Sequence, residues 1–146
     1  MTIDLTNPAF LAYTITALVL CLNLVGLWVY SGVARGKSGV VINEEDSAQF
    51  RAPLSETDPP SVARVMRAHR NAEAVIYPFL LLGLVFVLAG GSPGLAKILF
   101  SIFTAARLLH SFAYIGGKQP WRTGFFIVSV ICLVALMVSV LLLLFR

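Results

Sequence analysis

The chain has 146 residues, of which 58% are hydrophobic and only 12% are charged. Soluble domains carry about 25% charged residues, so this composition excludes an ordinary water-soluble protein and indicates a membrane protein. The formal net charge is a modest +4. No basic run carries interleaved aromatic residues, which argues against nucleic-acid binding. At about 20 residues per membrane-spanning helix, the length allows one domain of four helices.

The first predicted span covers residues 8–33 and begins at Asn7-Pro8, a helix cap followed by proline at the first helical position. Its apolar run is too long for a signal peptide, and the charge that precedes it, Asp4, is negative. We therefore expect the first span to be retained. Residues 34–60 are predicted to form a long polar loop on the cytoplasmic side.

Three further spans are predicted at residues 61–89, 93–115 and 120–145. The second starts after Asp58, a candidate helix cap, with Pro59 and Pro60 in the first turn. Short turns rich in glycine and proline separate the last three spans, which should therefore be antiparallel neighbours. The sequence predicts an all-α integral membrane protein whose single domain, residues 1–146, is a four-helix bundle.

Basic residues are concentrated at one end of the predicted bundle. That end holds Arg35, Lys37, Arg51, Arg64, Arg67, Arg70, Lys118 and Arg122, whereas the opposite end holds Lys97 and Arg146. Loops rich in lysine and arginine stay in the cytoplasm. We therefore expect the basic end to be cytoplasmic, with both termini on the other side of the membrane.

Polar residues also occur inside the spans, where a charged side chain costs about 2.5–3.5 kcal/mol unless it faces a cavity or a partner. Their spacing puts them on shared helix faces. The sets are Arg64, Arg67 and Asn71; Arg70, Glu73 and Tyr77; Arg107, His110 and Tyr114; and Arg122 with Thr123. Arginines outnumber acids, and arginine binds carboxylates through two parallel hydrogen bonds. The pattern indicates a pocket for an anion near the cytoplasmic end.

Other interpretations remain open for some of these residues. Arginines at a span end, such as Arg64, also serve as topology signals or contact lipid headgroups. A hydrogen bond within the bundle would account for His110. We expect no metal site, because no cluster of carboxylates or thiolates accompanies the two histidines. Cys21 and Cys132 are interpreted as small buried hydrophobic residues.

Several strings resemble the MAPEG family of membrane-associated proteins in eicosanoid and glutathione metabolism. RVMRAHRN at residues 64–71, followed by IYPFL at 76–80, resembles the second helix of that family. RLLHSFAYIG at 107–116 resembles the third helix, PWRT at 120–123 the start of the fourth, and NEED at 43–46 the loop before helix two. The resemblance covers nearly the whole chain and is weakest in the first span.

The resemblance implies a homotrimer of four-helix bundles that binds glutathione between neighbouring subunits on the cytoplasmic side. It implies catalytic roles for Arg122 in stabilising the thiolate, for Thr123 as a hydroxyl donor and for Asp46 in proton transfer. Together with the shared helix faces, it predicts a glutathione-binding set. That set is Arg35, from the adjacent subunit, with Arg67, Arg70, Asn71, Glu73, Tyr77, Arg107, His110 and Tyr114.

The chain departs from the family pattern at a few positions. Ala63 and Ala74 stand where the family has glutamates, and Phe126 stands where a member has tyrosine. Glu73 lies one residue before Ala74, a rotation of about 100° around the helix.

The implied function is that of a glutathione-dependent membrane enzyme acting on lipophilic electrophiles or peroxides. Its activity would be that of a transferase or peroxidase, or of a prostaglandin-H isomerase. Its partners would be glutathione, a lipophilic small molecule and membrane lipid. One alternative is a non-catalytic, lipid-binding member of the family. A small four-span transporter is a weaker alternative, because residues 8–33 contain no acidic side chain.

Overall fold

A computed structural model describes residues 6–145, so Asp4 and Arg146 lie outside the described residues. In chain order its helices are α1 (Pro8–Ser38), α2 (Glu44–Phe50), α3 (Pro60–Leu88), α4 (Pro93–Ile115) and α5 (Trp121–Leu143). All of these except α2 are long and apolar enough to cross a membrane. The prediction of an all-α bundle with four spans is confirmed.

The two predicted helix caps have different outcomes. The Asn7 side chain accepts a hydrogen bond from the backbone N–H of Ala9 at 2.8 Å, as expected of a cap. The predicted Asp58 cap is wrong, because α3 is capped by Pro59 without a side-chain hydrogen bond. The Asp58 carboxylate instead accepts from Nη2 of Arg35 at 2.9 Å, which ties the end of α1 to the start of α3.

The polar connection has more structure than a plain loop. Helix α1 continues to Ser38 rather than ending near residue 33 and is terminated by Gly39 in the left-handed conformation, with φ of 70°. Helix α2 carries three acidic residues in its first turn, where they complement the helix dipole. A short bridge joins Val41 to Leu54 on either side of α2.

The four long helices form a bundle in which α1 packs on α3 and α4, while α5 packs on the other side of the same pair. Helices α1 and α4 run in the same direction, and the hydroxyl groups of Thr16 and Thr104 lie 3.3 Å apart between them. Aromatic side chains fill one end of the core, where the rings of Phe79 and Phe103 stack with centroids 3.5 Å apart. Polar side chains occupy the other end.

The outward faces of the spans are apolar, as a lipid-facing surface requires. Cys132 is buried, as expected, but the expectation is wrong for Cys21, which is exposed on α1. An apolar residue of a span can face either lipid or the core. Hydrophobic neighbours in the sequence therefore do not show which of the two cysteines is buried.

Candidate functional site

Arg107 is the centre of the polar end of the bundle. It lies on α4 and is fully buried, with 0% of its surface exposed. Its Nη2 donates to Oδ1 of Asn71 on α3 at 3.0 Å, and its Nη1 lies 3.5 Å from the hydroxyl of Ser129 on α5. Its Nε has no hydrogen-bond partner within residues 6–145. Both partners are neutral, so the positive charge is held between three helices without a carboxylate beside it.

His110, one turn further along α4, is 3% exposed. Its Nδ1 lies 2.9 Å from the backbone carbonyl of Arg122. A carbonyl can only accept, so Nδ1 must carry the hydrogen, and Nε2 of the neutral ring is left as an acceptor. That Nε2 atom is buried and has no donor in the described part of the chain.

Arg122 is held in place by two neighbours at the start of α5. Its guanidinium lies over the ring of Tyr114, 4.7 Å from the centroid, in a cation–π contact. The side-chain amide of Gln119 has one orientation in which both its oxygen and its nitrogen find hydrogen-bond partners. In that orientation the oxygen accepts from Nη2 and Nε of Arg122 at 2.7 and 3.2 Å. The amide nitrogen then donates to the hydroxyl of Thr123 at 3.0 Å. Gln119 thus orients both residues of the predicted catalytic pair, although no sequence pattern marks it as a site residue.

These groups surround one cavity of about 240 Å³ at the polar end. Five of the predicted site residues line it together with Phe126; they are Asn71, His110, Tyr114, Arg122 and Thr123. Arg107 lies behind the cavity wall and reaches it through Asn71. We call this space the Arg122 cavity. It brings together side chains from α3, α4 and α5, as the spacing of polar residues predicted.

Four of the predicted binding residues on α3 lie outside the Arg122 cavity. Arg67, Arg70 and Tyr77 are exposed on the surface of the bundle. The Glu73 carboxylate accepts from the hydroxyl of Tyr77 at 3.3 Å and lies 3.4 Å from Nδ1 of His69, both on its own helix. A role for these four residues in ligand binding stays a prediction.

Arg35 and Asp46 line a second cavity, of about 610 Å³, between the end of α1 and the segment around α2. The Asp46 carboxylate accepts from the side-chain amide of Asn43 at 3.0 Å. Neither residue lines the Arg122 cavity of its own chain. The predicted contact of Arg35 with glutathione bound at an adjacent subunit therefore stays a prediction.

The model of the MAPEG family matches residues 13–142 of this chain. The chain belongs to the MAPEG family. Its four spans and this membership make it an integral, multi-pass membrane protein. The family inferred from residues 64–71 and 107–123 is thereby confirmed.

Named relatives of this MAPEG chain are enzymes. Prostaglandin E synthase of Homo sapiens is 32% identical over 120 residues, which cover 82% of this chain and 79% of the relative. The protein of the same name from Bos taurus is 34% identical over 117 residues, covering 80% and 74%. Microsomal glutathione S-transferase 1 of Rattus norvegicus is 34% identical over 114 residues, covering 75% and 73%.

Proposed function

We propose that this MAPEG protein is a glutathione-dependent membrane enzyme that applies the glutathione thiol to lipophilic electrophiles or peroxides. The observation that carries the proposal is the Arg122 cavity. A fixed guanidinium lines it, the buried Arg107 lies behind it and contacts Asn71, and no carboxylate is among the described lining residues. The names of its relatives, a glutathione S-transferase and prostaglandin E synthases, support this choice of thiol chemistry.

Glutathione fits the polarity of the Arg122 cavity. It is a small anion with two carboxylates, an ammonium group and a thiol. Arg122 presents five N–H donors, of which Gln119 uses two, and the remainder suit a carboxylate or a thiolate. We assign His110, which lines the cavity, as an acceptor through Nε2 for a ligand N–H or S–H group. Binding an anion would also offset the uncompensated charge of Arg107.

The chemistry requires the thiol to ionise, because the thiolate is the nucleophile. A free thiol has a pKa of about 8.5 and is mostly protonated near pH 7. Glutathione supplies this thiol, and we assign Arg122 and Thr123 to favour its ionised form by charge and by hydrogen bonding. Tyr114 and Gln119 fix the guanidinium beforehand, so little reorganisation is needed when negative charge develops.

We infer that the two reactants reach the cavity by different routes. Phe126 lines it beside the polar groups, and Trp121 is exposed nearby at the start of α5. We infer that a lipophilic substrate arrives from the bilayer along α5 while glutathione arrives from the cytoplasm. In a homotrimer, Arg35 and Asp46 of a neighbouring subunit would complete the site, with Asp46 in proton transfer.

The test is the ultraviolet absorbance of glutathione thiolate on titration into purified protein, followed by turnover of electrophile and hydroperoxide panels. We expect a thiolate band in the wild type. Arg122→Ala should abolish the band and lower turnover by about 10²–10³-fold, the usual effect of removing one preorganised donor. Arg64→Ala is the matched control, because it removes an exposed arginine near the same end that does not line the cavity.

Two outcomes would overturn the proposal. If glutathione bound without any thiolate band or turnover, the protein would be a non-catalytic, ligand-binding member of the family. If Arg122→Ala and Arg64→Ala behaved alike, the Arg122 cavity would not be the reaction site. The substrate panel separates transferase, peroxidase and isomerase activity.

A further inference from the structure

Arg107 and Asn71 form a hydrogen-bonded pair that links a buried charge to the Arg122 cavity. Arg107 is fully buried on α4 and does not line the cavity, whereas Asn71 lines it from α3. Nη2 of Arg107 donates to Oδ1 of Asn71 at 3.0 Å. The other partner of this guanidinium within residues 6–145 is Ser129, which does not line the cavity. In that part of the chain, Asn71 is therefore the hydrogen-bonded route from Arg107 to the cavity.

The pair determines which atom of the Asn71 amide is left for a ligand. A guanidinium can only donate, so the atom that meets Arg107 must be the amide oxygen. The reversed amide would bring two donors together. Nδ2 makes no hydrogen bond within the described residues, yet it keeps accessible surface, unlike the enclosed Nε of Arg107. Asn71 thus offers unpaired N–H donors at the cavity that it lines.

Arg107 also strengthens these donors. Linked hydrogen bonds polarise one another, and a charged donor on the amide oxygen withdraws electron density from the amide nitrogen. The effect is larger in a dry interior than in water, and Arg107 is fully enclosed. A ligand group beside Asn71 must therefore be an acceptor. A carboxylate benefits most, because hydrogen bonds to a charged acceptor are about twice as strong as neutral ones.

We propose that Asn71 binds one carboxylate of glutathione and that Arg107 is the positioning residue that fixes Asn71 as a donor. This inference rests on the proposed function and assigns one group of glutathione to one wall of the Arg122 cavity. Arg122 and Thr123 then stay available for the thiolate, because the carboxylate has a donor of its own. The inference also explains a buried cation with no carboxylate beside it, since the ligand supplies the compensating charge.

The test measures the affinity of the full chain in detergent for glutathione and two analogues by calorimetric titration. γ-Glutamylcysteine ethylamide lacks the glycyl carboxylate, and γ-aminobutyryl-cysteinylglycine lacks the glutamyl carboxylate. One of the two should bind the wild type at least about tenfold more weakly than glutathione, as loss of a hydrogen bond to a charged group allows. The same analogue should bind Asn71→Ala within about twofold of glutathione, because neither complex then has this hydrogen bond.

Asn71→Asp separates the donor from the shape of the side chain. The aspartate still accepts from Arg107 but presents an oxygen in place of the N–H group. We expect glutathione affinity to fall further than in Asn71→Ala, by about 30-fold or more, because two carboxylates would face one another. Asn23→Ala is the matched control, since it removes a side-chain amide on α1 that does not line the cavity. It should bind all three ligands as the wild type does.

The positioning role of Arg107 is tested by combining Arg107→Met with Asn71→Ala. The double variant should lose less affinity than the product of the two single losses, because Arg107 acts through Asn71. A loss equal to the full product would overturn the positioning role.

Two results would overturn the carboxylate assignment. One is wild-type affinity for glutathione in Asn71→Asp. The other is a loss for each analogue that is the same in the wild type and in Asn71→Ala. If the wild type still bound glutathione with a thiolate band, the proposed function would stand without this inference. Failure of the wild type to bind glutathione would overturn both.

Discussion

The two ends of the bundle are built from contrasting side chains. At one end, Phe79, Phe100 and Phe103 are buried against each other and complete their packing within the chain. At the other end, Arg107 and His110 are equally buried, yet each keeps a ring or guanidinium nitrogen without a partner in the described structure. The aromatic end therefore stabilises the fold by itself, whereas the polar end is suited to a bound ligand. Substitutions at the two ends should separate stability from binding.

The largest effect is expected at the aromatic end. Phe79→Ala removes the ring stacked on Phe103 and leaves a cavity. We expect a loss of about 2 kcal/mol in the free energy of unfolding, which is less than the 3–5 kcal/mol of a soluble core because lipid also solvates the released surface. Equilibrium unfolding in mixed detergent micelles measures it. Glutathione affinity of the folded fraction should stay within twofold of the wild type; a larger loss would show that the two ends are coupled.

Arg107→Met should give the reverse pattern. It replaces a buried, uncompensated charge by an apolar side chain of similar length, so the unfolding free energy without ligand should be unchanged or higher. Affinity for glutathione should fall about tenfold, because Asn71 loses the donor that orients it and the cavity loses positive potential. Calorimetric titration and the same unfolding assay provide the two values. A variant that is strongly destabilised with unchanged affinity would mean that Arg107 is purely structural.

Gln119 gives a smaller effect that tests positioning at the cavity. Gln119→Leu removes the amide that holds Arg122 and Thr123 but leaves both side chains present. We expect turnover to fall about fivefold with little change in glutathione affinity, because misdirected donors weaken stabilisation of the thiolate more than binding. Stopped-flow measurement of the thiolate band checks the cause. Gln119→Glu keeps the acceptor but adds a negative charge beside Arg122, so it should not restore the band. An unchanged band in Gln119→Leu would remove Gln119 from this role.

The sequence predicted those features that periodicity and polarity encode. The four spans, the Asn7 cap and the convergence of Asn71, His110 and Arg122 all follow from helix spacing and apolar runs. Features that depend on tertiary contacts could not be predicted from the sequence. An amide in a turn carries no periodic signal, so Gln119 was missed. Asp58 looked like a helix cap because nothing in the local sequence shows that Arg35 lies beside it.

Helix α2 was missed for a different reason. Its seven residues begin with an acidic run, and a short polar segment of this kind has no apolar stripe by which to recognise a helix. The Val41 to Leu54 bridge that closes this segment joins residues thirteen positions apart and is equally invisible to local patterns. The polar connection between α1 and α3 is thus less predictable from sequence than the spans.

The smallest effect is expected at Glu73, which the spacing on α3 placed in the binding set. Its carboxylate contacts Tyr77 and His69 on its own helix and does not line the Arg122 cavity. Glu73→Gln keeps an acceptor for Tyr77, so we expect glutathione affinity to change less than twofold and stability by no more than about 0.5 kcal/mol. Glutathione affinity is measured by titration of Glu73→Gln and of Asn71→Ala. The second variant alters a lining residue and provides the loss of affinity for comparison. A tenfold loss in Glu73→Gln would mean that the ligand also contacts the outer side of α3, and the polar end would then extend beyond the cavity of a single chain.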